Sequence, residues 1–133
     1  ERINIEVVGS EDQYLFEDTY LGTGVLSTGD YTYDITEPKT TFGADETIFA
    51  LTKLKDINNV NIFRIKHQVL ANGTSVFREL FTPTFSPNYN RWGETNTWTV
   101  NAPLPAGNHV LKTFISIDGG EYVELDSQNI TVY

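Results

Sequence analysis

Recognising a sugar requires a flat aromatic ring for its C–H face and polar side chains for its hydroxyls, and one stretch of this chain has that composition. It is SPNYNRWGETN, residues 86–96, where Trp92 and Tyr89 offer rings, Arg91 and Glu94 offer charged hydrogen-bonding groups, and Asn88 and Asn90 offer amides. The density of turn-forming residues places the segment on a loop, where binding residues concentrate. Tyr89, Arg91, Trp92 and Glu94 are therefore the candidate ligand-binding set. Trp98, alternating with Val100, reads instead as a core tryptophan of a strand.

The groups that could do catalysis are scattered. His67 falls between Ile65 and Val69 on the inward side of an alternating run, and His109 opens another run after Ala106-Gly107. Each reads as a hydrogen-bonded sheet histidine, because a reaction needs a nucleophile, an orienting acid and a pocket together. The chain contains no G-x-S-x-G, no H-E-x-x-H and no glycine-rich phosphate loop, and a glycosidase carboxylate pair is a spatial feature that a sequence does not display. Cysteine is absent, which excludes disulfides and thiolate metal sites. Glu11, Asp12, Glu17 and Asp18 lack the D-x-D-x-D-G spacing that would converge oxygens on calcium. The expectation is a chain with no catalytic residues, no metal and no cofactor.

Charge narrows the partners. Of the net −9, all arises before residue 47, where eleven acids face Arg2 and Lys39; from Thr47 onward seven acids meet seven bases. A polyanion meets repulsion in the first third and no basic stripe beyond it, so neither nucleic acid nor membrane insertion is expected. No apolar run approaches the roughly 18 residues of a membrane span. The start on Glu1 fits a processed product or a piece of something longer, and the expected partner is a polysaccharide or a protein outside the cell or on its surface.

The elements that must carry these residues read as strands. Ile3, Ile5 and Val7 alternate, residues 10–20 (SEDQYLFEDTY) have no clear period, and residues 21–30 (LGTGVLSTGD) read as a loop or linker. The chain accordingly divides into an acidic N-terminal segment, 1–30, packed on a sandwich of residues 31–133. Tyr31, Tyr33 and Ile35 alternate up to Glu37-Pro38, and 48–54 is apolar on both faces, as in a strand covered on both sides.

Asn72-Gly73 is a strong hairpin signal. A two-residue loop there pairs Ala71 with Thr74, Lys66 with Glu79, and Ile65 with Leu80. That register places Phe77 and Phe81 opposite the core, among Arg64, Lys66 and Gln68. The two rings then need a cover: the acidic N-terminal third, or a partner protein, which makes Phe77 and Phe81 the candidate protein-contact pair. A second hairpin, with the three-residue loop Asp118–Gly120, sets Ile115 opposite Val123. The apolar parity then moves from Val123 and Leu125 to Ile130 and Val132, which requires a β-bulge, expected near residues 127–129.

Strands at short spacing without a helical period specify an all-β, two-sheet antiparallel sandwich. The run WGETNTWTVNAPLPAGNHVLKTFISIDGG, through Trp98, Pro105, Gly107, Asp118 and Gly119, resembles the last strands of immunoglobulin-like or fibronectin-like modules of exported microbial proteins. The resemblance covers about the last 90 residues and lacks the immunoglobulin cysteine pair. It implies a non-catalytic extracytoplasmic accessory module that binds carbohydrate, or a structural or adhesive module that binds protein.

Overall fold

The computed structural model describes residues 15–57, 60–86 and 92–133. Among these, ten strands form and no helix: β1 (Phe16–Gly22), β2 (Gly24–Gly29), β3 (Thr32–Thr36), β4 (Thr41–Phe42), β5 (Ile48–Leu54), β6 (Phe63–Ala71), β7 (Ser75–Phe81), β8 (Thr95–Asn101), β9 (Gly107–Ile117) and β10 (Val123–Val132). A three-stranded sheet, β1-β5-β8, packs on a five-stranded sheet, β4-β10-β9-β6-β7, and β2 and β3 form a separate hairpin. Every pairing is antiparallel except the short one between β4 and β10. The alternating run Ile3–Val7 lies outside the described residues.

Residues 21–30 are not a linker. They complete β1 and build β2, which pairs with β3 from Gly24↔Thr36 to Gly29↔Thr32. Their glycines weaken the intrinsic strand preference, so the strand exists because β3 lies beside it and both pack on β5. The untyped segment before them supplies β1, which runs against β5 from Phe16↔Leu54 to Gly22↔Phe49. From Leu15 onward the acidic segment is thus woven into the small sheet, and a boundary after residue 30 falls in the turn of the β2–β3 hairpin.

β5 is covered on both sides, as its sequence suggests. Ile48, Ala50 and Leu54 face the large sheet and Leu51, on the other side, is equally buried. The cover over Leu51 is the β2–β3 hairpin. It crosses the outer face of the small sheet from Gly22 to the edge of β8, held by Tyr33 N–H to Asn96 Oδ1 at 2.6 Å, Asn96 N–H to Tyr31 O at 2.8 Å, and Lys53 Nζ to Asp34 at 2.7 Å.

The core between the sheets is two apolar clusters separated by a polar belt. One cluster gathers around Phe42, Ile48, Val69, Leu111 and Ile130, the other around Leu15, Leu54, Phe63, Ile65 and Ile115. Between them runs a chain of hydrogen bonds: Thr113 to Thr19 at 2.8 Å, Thr19 to Thr52 at 2.8 Å, Thr52 to His67 Nε2 at 2.7 Å, and His67 Nδ1 to Thr99 at 2.7 Å. A neutral imidazole has one donor and one acceptor, so His67 donates to one of Thr52 and Thr99 and accepts from the other. Burial holds the His67 pKa down, from 6.5 to about 3.

Both hairpins deviate from the expected register. The Asn72-Gly73 turn does have positive φ at both residues, 54° and 74°. The loop nonetheless includes Thr74, so Ala71 pairs with Ser75, and a bulge at Phe77 carries the ladder to Gln68↔Glu79, His67↔Leu80 and Lys66↔Phe81. Past the bulge the shift is two residues, which keeps Leu80 and Phe81 on their expected faces, whereas before it the shift is one residue, so Val76 pairs with Leu70 and turns to solvent, 58% exposed. Lys66 therefore reaches Glu79 only diagonally, at 3.4 Å, while Gln68 Nε2 donates to Glu79 at 2.7 Å. In the second hairpin Ile115 does pair with Val123, but the bulge falls at Leu125, so Thr113 pairs with Asp126. Leu125 is thereby kept in the core while the parity changes just after it.

Phe77 and Phe81 stay 45% and 43% exposed. The acidic third does not cover them as far as residues 15–46 are concerned, because β1 to β3 lie on the small-sheet side and β4 joins the far edge of the large sheet at β10. Phe81 has a local cover instead: the Arg64 guanidinium lies 4.8 Å from its ring centroid, and Tyr122 meets it edge-on at 5.7 Å. Phe77 sits at the bulge with Arg78 beside its ring. Phe77→Ser is accordingly expected to change unfolding free energy by no more than about 0.5 kcal/mol, checked by urea denaturation.

Candidate functional site

The loop set from the sequence is only partly placed. Tyr89 and Arg91 lie outside the described residues. Trp92 is 64% exposed, and Glu94 lines a small hollow with Glu17, Thr32, Lys53, Leu54 and Asn96. The histidines are spent on structure: His67 closes the polar belt, and His109 is buried with Nε2–H donating to the Pro105 carbonyl at 2.7 Å. No group of three or more metal-ligating side chains gathers among the described residues.

The strongest concave site lies elsewhere, and Trp98 is at its centre. The inward positions of β8 belong to Thr95, Thr97, Thr99 and Asn101, all buried, so the opposite parity of Asn96, Trp98 and Val100 faces outward. The expectation of a core tryptophan fails for this reason. The inward threonines are retained because Thr99 completes the belt to His67, and a tryptophan at that parity would have nothing to bond.

Trp98 is instead half-covered by the hairpin, with Tyr33 edge-on at 4.6 Å between ring centroids. On the other side, the chain after β7 continues along β6, with Phe85 and Phe63 exchanging backbone hydrogen bonds of 2.8 and 2.9 Å. Their rings stack at 5.2 Å. Between these parts opens a cleft of about 380 Å³ walled by Tyr31, Tyr33, Phe85, Trp98 and Pro83, with Thr95, Asn96 and Thr97 along β8. It lies where the edge of the small sheet meets the segment following β7. Among the described residues, no charged side chain is in its walls.

Each wall has a local cause. Tyr31 occupies the tip of the hairpin at φ 63°, a left-handed conformation that bulky residues seldom adopt, and is held by its carbonyl bond to Asn96 N–H. Tyr33 is two residues along the same face of β3. Asn96 is 7% exposed, its Oδ1 tied to the Tyr33 N–H. The one sequence signal for this site was the alternation of Tyr31 and Tyr33. Nothing local in the sequence links them to Trp98 or Phe85, more than 50 residues away.

No family model and no curated protein matches the chain. Among solved structures, the C-terminal domain of Wzt superposes with a TM-score of 0.61 at 11% identity, covering 98% of this chain and 87% of that one. Part of the Pseudomonas fluorescens alkylpurine DNA glycosylase AlkC, solved bound to DNA containing an abasic-site analogue, superposes with a TM-score of 0.50 at 12% identity. That match covers 70% of this chain and about a quarter (27%) of the glycosylase. At such identities the likeness is one of fold, and this chain has an immunoglobulin-like β-sandwich fold.

Proposed function

We propose that this chain is a non-catalytic, extracytoplasmic accessory module that binds carbohydrate, and that it does so in the cleft between the β2–β3 hairpin and Phe85. The observation that carries the reading is the wall itself: four aromatic rings and an amide around a cleft of about 380 Å³ whose described lining residues are all uncharged. Binding sites are commonly apolar clefts of about 300–1,000 Å³ with a few placed polar groups. Rings stack on the C–H faces of a pyranose, and the Asn96 amide and tyrosine hydroxyls meet its hydroxyls. Trp92 and Glu94, with Tyr89 and Arg91, remain proposed ligand contacts.

An NMR titration of the labelled chain with a panel of neutral oligosaccharides tests this reading. Shifts are expected at Tyr31, Tyr33, Phe85 and Trp98, and a panel that leaves all four unmoved sinks it. Trp98→Ala is expected to weaken binding at least tenfold, or about 1.4 kcal/mol, with circular dichroism confirming that the sandwich persists. The second reading, a protein-binding module, is favoured by the exposure of Phe77 and Phe81 on the outer face of the large sheet. It predicts that Phe81→Asp abolishes association with a partner protein while leaving sugar titrations unchanged.

A further inference from the structure

We propose that the cleft selects an N-acetylated hexosamine, and that the open edge of β8 reads its acetamido group; this rests on the reading of the cleft as a sugar site. In an antiparallel ladder, alternate residues turn their peptide groups toward and away from the neighbouring strand. The backbone N–H of Asn96 is bonded to Tyr31 O, outside the ladder with β5, so the even-numbered residues of β8 direct N–H and C=O away from β5. Trp98 shares that parity, and its N–H has no hydrogen-bond partner among the described residues.

The open edge is short. Tyr31 closes it at Asn96, and Arg78 approaches its far end, donating from Nη1 to Ala102 O at 2.8 Å. Among the described residues, nothing pairs with the peptide groups of Trp98 and Val100 between them. An extended peptide that adds to a sheet needs a run of ladder bonds, whereas an acetamido group is a single planar amide with one donor, one acceptor and a methyl group. The methyl fits the apolar wall of Tyr33, Phe85 and Trp98. Asn96 biases the choice the same way: with Oδ1 committed to Tyr33 N–H, the side chain has its Nδ2 donors left for a ligand, which suits a carbonyl acceptor. With no charged group among the described wall residues, a uronate or a free amine would enter without a counter-charge from them.

The test is a titration of the whole chain with four probes: a trimer of N-acetylglucosamine, its de-N-acetylated form, a glucose trimer of the same linkage, and an acetylated extended tetrapeptide. The acetylated sugar is expected to bind at least tenfold tighter than either other trimer, with its largest backbone shift at the Trp98 amide. Asn96→Asp keeps the acceptor for Tyr33 N–H but replaces the Nδ2 donors with a second oxygen, and it should reduce that preference at least fivefold. Equal affinity for the three trimers, or a preference that Asn96→Asp leaves intact, overturns the acetamido proposal while the sugar reading stands. If no trimer moves the cleft residues the sugar reading itself fails, and if the tetrapeptide alone moves Trp98 the edge is a peptide site.

Discussion

His67→Ala is expected to cost about 3–5 kcal/mol of folding stability, the range for removing a large buried side chain and leaving a cavity. The side chain is 1% exposed and is the bond between Thr52 and Thr99, so its loss also leaves two buried hydroxyls short of a partner. Equilibrium urea unfolding of the two proteins measures the difference, and a loss below about 1 kcal/mol would mean that the belt rearranges without it. The same residue sets the acid limb. With the folded pKa near 3 and the unfolded one near 6.5, the unfolded chain takes up the proton first. The contribution is therefore complete above pH 6.5 and is lost as pH falls toward 3, at up to about 1.4 kcal/mol per pH unit. His67→Gln, which cannot titrate, should flatten the pH dependence between 6.5 and 5, above the range where the depressed carboxyls of Glu46 and Glu79 begin to protonate.

Gly22→Val is expected to damage both stability and the cleft. A Cβ at Gly22 would press into the Thr36 carbonyl oxygen and lie 2.7 Å from Ile35 Cγ1 and 3.0 Å from the Glu37 carbonyl oxygen. Two of those three atoms are backbone, so the hairpin must lift off the sheet to admit it. Overpacking of this kind costs about 1–3 kcal/mol, and here the displaced element carries Tyr31 and Tyr33. Thermal unfolding and the oligosaccharide titration should worsen together. Gly24→Ala is the control, since a Cβ there meets only the Thr36 side chain at an ordinary 3.6 Å. A valine at position 22 that leaves both measurements unchanged would show that the hairpin is not seated by that contact.

What the sequence determined by itself was local. Alternation located β3, β6, β7 and β9, a run apolar on both faces located β5, and turn chemistry located both later hairpins, because side-chain parity and positive φ depend on residues a few positions apart. It also required a bulge in the last strand, where the apolar parity changes. The exact registers were beyond it: the bulges at Phe77 and Leu125 answer to Gln68–Glu79 pairing and to a seat for Leu125 in the core, which are contacts between strands.

The inward face of β8 was decided by tertiary structure against the hydrophobic pattern. Thr99 faces in because His67 is across from it, and Trp98 faces out because a hairpin built of glycine, serine and threonine folds over it. β2 itself has no sequence signature, since its pairing energy comes from β3 and its burial from the small sheet. The cleft follows from all of these. Tyr31 lies more than 50 residues from Phe85 and Trp98, and only the crossing of the hairpin over β5 and the continuation of the chain along β6 bring the three around one space.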